Sequence, residues 1–223
     1  MPNIEKLALQ NCGGINKFEI MSASKLERLS IHNCVHDVVE SRWLAPHLKA
    51  IKSLWLCRSS LLYMDASLFA TAINLQLLVL CNFSFGCGKQ LTVTLQLLQK
   101  CPNLCELGIL ANQPVYKRDQ EAASRLLEDP DGCFIEQDLK MLKTIKIESF
   151  SGFIVEMFFV RMLLSKSPAL ERVVIMEYVG IDTSAVECLR ELLRFHRASP
   201  KAQICMELDD PICGGLSDYI WFD

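Results

Sequence analysis

The sequence lacks what several large functional classes require. Its most apolar run, Phe153 to Leu164, is broken by Glu156 and Arg161 and falls well short of the roughly 20 residues a membrane span needs, so no transmembrane helix is expected. The opening Met1-Pro2-Asn3-Ile4-Glu5-Lys6 has no basic end followed by an apolar core. It is therefore not a secretory signal, and the expected location is the cytoplasm or nucleus. Basic residues are not in excess: the formal charge is −3 and the pI about 5.9. No basic stripe is available to neutralise phosphates, which argues against nucleic acid as a partner.

Signs of catalysis are equally sparse. Gly86-Cys87-Gly88-Lys89 lacks the spacing of a phosphate loop and reads as a turn. No Ser, His and Asp set stands out as a hydrolytic triad. His32, Cys34 and His36 form a short run, and Cys101 and Cys105 flank Pro102, but neither group has the second ligand pair that zinc sites use. Asn82-Phe83-Ser84 fits a glycosylation sequon, which has no meaning without secretion. No catalytic residue, cofactor or metal is assigned, and binding rather than catalysis is expected. The eleven cysteines are odd in number and thinly spread, so reduced, mostly buried thiols are expected rather than a disulfide framework.

What the sequence does contain is a repeated phrase. Leu26-Glu27-Arg28-Leu29-Ser30-Ile31-His32-Asn33-Cys34 places apolar residues at its first, fourth and sixth positions and a small hydrogen-bonding residue at its ninth. The apolar positions recur at Ile4, Leu7 and Leu9; Ile51, Leu54 and Leu56; Leu75, Leu78 and Leu80; Leu104, Leu107 and Ile109; Leu142, Ile145 and Ile147; and Leu170, Val173 and Ile175. From first position to first position the steps are 22, 25, 24, 29, 38 and 28 residues, mostly within or near the span of about 20 to 29 seen in leucine-rich repeats. Cys12 and Cys34 take the ninth position, where such repeats use Asn or Cys to support the turning backbone. The expected fold is α/β: a curved solenoid with parallel strands on the concave face and irregular helices on the convex one.

A second internal repetition defines the unit. Leu97 to Ile109 aligns without gaps on Leu163 to Ile175, with six of thirteen positions identical. A helix ends on two leucines, Pro102 or Pro168 bars its continuation, and the chain turns into the next strand. Short helices are expected at Ala66 to Ala72 and Leu91 to Lys100, and a buried one at Phe153 to Lys166. Another is expected at Ile181 to His196, with Ser184 and Glu187 at capping-box spacing and Leu189, Leu192 and Leu193 as its apolar stripe. Strands are expected at Leu139 to Phe150 and, closing the array, Ala202 to Glu207. In domain terms, residues 1–138 are the repeat region with an irregular insertion at about 112–138. Residues 139–207 continue it, and 208–223 form a tail. A repeat stands at the very start with nothing to cover its exposed end, so the chain is expected to be the C-terminal part of a longer protein.

The C-terminal third carries a more specific likeness. Leu142-Lys143-Thr144-Ile145-Lys146-Ile147, Phe150-Ser151-Gly152, Glu156, Phe159-Val160, Leu163-Leu164, Ser167-Pro168, Leu170-Glu171 and Phe195 to Ala202 resemble the FBD domain of plant proteins. That domain accompanies an F-box and leucine-rich repeats, and the preceding repeats are similar to those of F-box/FBD/leucine-rich-repeat proteins. The resemblance implies the substrate-recognition part of an SCF-type ubiquitin ligase receptor, with a protein substrate as partner. A Skp-type adaptor and cullin are implied only where an F-box lies upstream, since no F-box segment is found in this sequence. The alternative is a repeat scaffold, or a truncated receptor, that binds protein partners with no coupling to ubiquitin transfer.

Strand alternation nominates the residues of the open face. If the fourth and sixth positions point inward, the third, fifth and seventh point outward. The first two strands then display Arg28 and His32, and the later ones Glu106, Lys146 and Arg172. Between them Trp55, Leu77 and Val79 are expected to form an exposed apolar patch and to anchor a partner. The same three residues would instead be core if the register were shifted by one, or covered if a loop or tail folded over them.

Overall fold

The computed structural model describes residues 4–10, 25–32, 44–112, 135–177 and 185–208. Its organising element is a parallel sheet of eight strands: β1 (Lys6–Gln10), β2 (Arg28–His32), β3 (Ser53–Cys57), β4 (Leu77–Phe83), β5 (Glu106–Ala111), β6 (Thr144–Phe150), β7 (Arg172–Glu177) and β8 (Gln203–Leu208). Spatial order equals chain order, so each strand pairs only with its sequence neighbours. Where the connections are described, the chain crosses back between strands rather than turning in a tight hairpin, as parallel pairing requires. It does so through α1 (Arg58–Tyr63), α2 (Gly88–Lys100), α3 (Ile154–Lys166), α4 (Ala185–Arg194) and 3-10 turns at Ala45–His47 and Ala66–Thr71.

The expected register is observed. First-position Leu26, Ile51, Leu75, Leu104, Leu142 and Leu170 lie in one apolar core with Leu29, Leu54, Leu56, Leu78, Leu80, Leu107, Ile109, Ile145, Ile147, Val173 and Ile175. Ile4, Leu7 and Leu9 pack more loosely against it from β1, at the edge of the sheet. Strand starts are stitched by a repeated device in which one carbonyl accepts two successive N–H groups of the next strand. Glu5, Glu27, Lys52, Gln76, Cys105 and Lys143 each do this, with N···O distances of 2.7 to 3.1 Å. Asparagine adds a second ladder between turns. The Asn74 amide donates to the Lys49 carbonyl and the Asn103 amide to that of Ile73, both at 2.6 Å. Asn103→Ala is expected to cost about 1 kcal/mol, the usual net worth of one hydrogen bond, measured by urea unfolding.

Two strands carry an inserted residue. Between Leu80 and Phe83 in β4, and between Ile147 and Phe150 in β6, the register slips against the following strand. Asn82 and Ser149 sit there at φ 52 and 57. Simple alternation would send Phe83 and Phe150 outward; the bulge turns both back into the core, where they are 0% and 1% exposed. The chain then enters a helix whose third residue reaches back to the strand end. Gln90 Oε1 accepts from Ser84 N at 3.0 Å, and Glu156 Oε2 from Ser151 N at 2.9 Å and Phe153 N at 3.1 Å.

The helices at Ala66–Thr71, α2 and α3 fall where spacing places them, and α1 is an addition. On α4 the apolar stripe is narrower than expected: Leu192 is fully buried, whereas Leu193 is 51% exposed. Ser184, its expected cap, lies outside the described residues, as do Cys12, Cys34, His36, most of the 112–138 insertion and the tail beyond Leu208. Gly152, at φ +72, admits α4 closely, because a Cβ there would collide with Cys188 Sγ. Gly152→Ala combines that collision with a left-handed backbone and is expected to cost about 2 kcal/mol in thermal unfolding. Relief by Cys188→Ala in the double variant would separate the two causes.

Candidate functional site

The face of the sheet opposite the main core is ordered into cross-strand rows. One row runs Arg28, Ser53, Leu77, Glu106, Thr144, Arg172, Gln203, and the next runs Ser30, Trp55, Val79, Gly108, Lys146, Val174, Cys205. Every residue nominated from strand alternation except His32 therefore lies in one of two adjacent rows. His32 closes β2 opposite Gln10, and its side chain falls outside the described residues.

The face is not uniform, and its middle corrects an expectation. Trp55 and Val79 are 4% and 0% exposed and form a second apolar cluster with Cys57 and Cys81, against which Leu77 and Leu110 pack. The register is not shifted, since Leu54, Leu56, Leu78 and Leu80 remain in the main core. Parallel sheets are commonly covered on both faces, and here β3 and β4 bury side chains on each. Trp55 and Val79 thus do not present an exposed patch, and Leu77 is only partly open. The Cys57 and Cys81 thiols face each other across the cluster. The hydrogen bond to Cys57, then burial, then the nearby charge of Glu148 push the Cys81 thiol far up, so it stays protonated.

Beyond β4 the face becomes charged and open. Glu106 and Arg172 are exposed at the starts of β5 and β7. Lys146 is largely covered and pairs with the buried Glu148, Nζ to Oε1, at 3.1 Å. Arg172 meets Glu207 at 3.6 Å with both side chains solvated, a pair worth little in stability. Together Leu77, Glu106, Gly108, Thr144, Lys146, Arg172, Val174 and Glu207 line a pocket of about 110 Å³. Leu77, Glu106, Lys146 and Arg172 are thus brought together; Arg28 stays on β2, separated from them by the Trp55 cluster. Thr144 and Val174 occupy outward positions of the same phrase. Glu207 was visible only as the next outward residue of the closing strand.

A larger cavity of about 460 Å³ lies among the turns that lead into β5 and β6, lined by residues including Leu98, Cys101, Pro102, Glu136, Asp138 and Lys140. It gathers none of the nominated residues. Burial pushes the Cys101 thiol up to about 12, and Cys105 Sγ sits 3.4 Å from the Asn103 carbonyl. Both fit helix-stop packing. Among the described residues there is no group of three or more His, Cys, Asp or Glu side chains placed to hold a metal. Nor is any described helix long and apolar enough to cross a membrane.

No family model matches the chain, and no solved structure matches it. An F-box/FBD/LRR-repeat protein of Arabidopsis thaliana is 33% identical over 134 residues, covering 60% of this chain and 32% of the relative. The chain is thus similar to a plant F-box/FBD/LRR-repeat protein and spans about a third of that relative's length.

Proposed function

We propose that the chain is a leucine-rich-repeat solenoid that acts as a protein-interaction module: the substrate-recognition part of an F-box-type receptor, selecting proteins for ubiquitination. The similarity to the F-box/FBD/LRR-repeat protein carries this reading. The geometry supports it in a general way, since a row of solvated charged side chains on a sheet suits protein recognition. Of the nominated residues, Arg28, Glu106 and Arg172 are exposed and suited to direct contact. Lys146 lines the pocket, and Trp55 and Val79 act by holding β3 and β4 rigid.

Affinity purification from plant extract with and without proteasome inhibition tests the reading. Bound proteins should accumulate when the proteasome is blocked, and the full gene product should co-purify a Skp-type adaptor. Partners that bind without accumulating, with no adaptor present, would favour a scaffold uncoupled from ubiquitin.

A further inference from the structure

We propose that the pocket between β4 and β8 receives one basic side chain, arginine or lysine, of a protein partner; this rests on the reading of the sheet face as a protein-binding surface. The pocket exists because of Gly108. Its row places Val79 on one side and Lys146 on the other, and a residue without a side chain leaves a gap between them. Leu77 supplies one apolar wall and the buried Val174 another. The volume of about 110 Å³ suits part of one side chain rather than a cofactor.

Charge selects the occupant. The two cations lining the pocket already have carboxylate partners, Lys146 with Glu148 and Arg172 with Glu207. Glu106 is exposed and has no ion pair among the described residues. The uncompensated charge is therefore negative, and it stands beside Leu77 and Thr144 in the same row. An incoming arginine or lysine lays its methylenes along Leu77 and the Gly108 gap and sets its head against the Glu106 carboxylate. An acidic side chain would meet Glu106 directly and gain a cation only by displacing a carboxylate already there.

Three capped tripeptides, Gly-Arg-Gly, Gly-Glu-Gly and Gly-Leu-Gly, titrated to millimolar concentration into the methyl-labelled full chain, read the pocket by NMR without any identified partner. The arginine peptide should shift the methyl signals of Leu77, Thr144 and Val174, the other two should leave them in place, and Glu106→Gln should weaken the arginine peptide severalfold. Glu106 is exposed, so the variant should fold as the parent does. Equal or larger shifts from the glutamate peptide, no shift from any peptide, or undiminished binding by Glu106→Gln would overturn the proposal. A face that captures proteins while ignoring the arginine peptide would sink this inference alone. A pocket that binds the peptide on a face that captures nothing would sink the interaction reading instead.

Discussion

Replacing Val79 by glutamate is expected to unfold the protein at room temperature. Val79 is completely buried among Trp55, Cys57 and Cys81, so the substitution forfeits about 1.5 to 3 kcal/mol of apolar burial and adds a charge with no partner. The nearest cation along its row is Lys146, two strands away and already paired with Glu148. An unpaired buried charge costs several kcal/mol more, and the sum approaches the roughly 5 to 15 kcal/mol that holds a whole domain together. Circular dichroism and thermal melting read the outcome, with the exposed Arg172→Glu as a control that should melt almost unchanged. A Val79→Glu variant that melts with the parent would mean that the β3 and β4 face is open to solvent after all.

The second large effect is a pH dependence carried by Glu156. Burial pushes its carboxyl from the ordinary 4.5 up to about 7, against the opposing pull of the Phe153, Ser151 and Gly152 backbone N–H groups. Below 4.5 the group is protonated in both folded and unfolded chains and costs nothing. As pH rises towards 7, the unfolded chain releases the proton while the folded chain retains it, and stability falls. The fall amounts to about 3 kcal/mol across that window and levels off above it. Glu156→Gln keeps an acceptor for Ser151 and Phe153 without a charge to bury, as Gln90 does at the equivalent place in α2. The variant should be more stable than the parent above pH 7 and should lose this component of the slope. Glu156→Leu strips both N–H groups of their acceptor and should be less stable than the glutamine variant by roughly 1 to 3 kcal/mol per orphaned group. Urea unfolding from pH 4.5 to 8 checks all three chains; a glutamine variant with the parent's slope would contradict the assignment.

How far the sequence reveals this molecule depends on the range of the interaction. The core positions were legible because Leu29, Leu54, Leu78, Leu107, Ile145 and Val173 repeat a local spacing that strand geometry imposes. The helix stops at Pro102 and Pro168 were legible for the same reason. The burial of Phe83 and Phe150 was not legible, because an inserted left-handed residue reverses the alternation there, and Asn82 and Ser149 share no residue type that announces it. Their sequences, Asn-Phe-Ser before Gln90 and Ser-Phe-Ser before Glu156, nevertheless repeat a pattern that aligned segments could have exposed.

The candidate site divides along the same line. Which residues share the outward rows followed from alternation, and the rows hold. Which part of the face meets water did not follow, because burial depends on what packs over a residue in space. Trp55 and Val79 therefore moved from partner anchors to structural supports, while Glu106, Lys146 and Arg172 converged on one pocket. Alternation placed Gly108 on the outward face too, but a glycine contributes no chemistry and it was not nominated; it lines the pocket beside Lys146.

Partners are expected to meet the charged rows of the sheet rather than its helical side. A photo-crosslinking residue placed at Gln203, exposed beside Arg172, and in a separate chain at Arg161, exposed on α3, reads this directly in plant extract. Discrete protein adducts are expected from position 203, abolished by charge reversal at Arg172, and none from position 161. Adducts from position 161 alone, or adducts from 203 that persist after Arg172→Glu, would contradict this expectation.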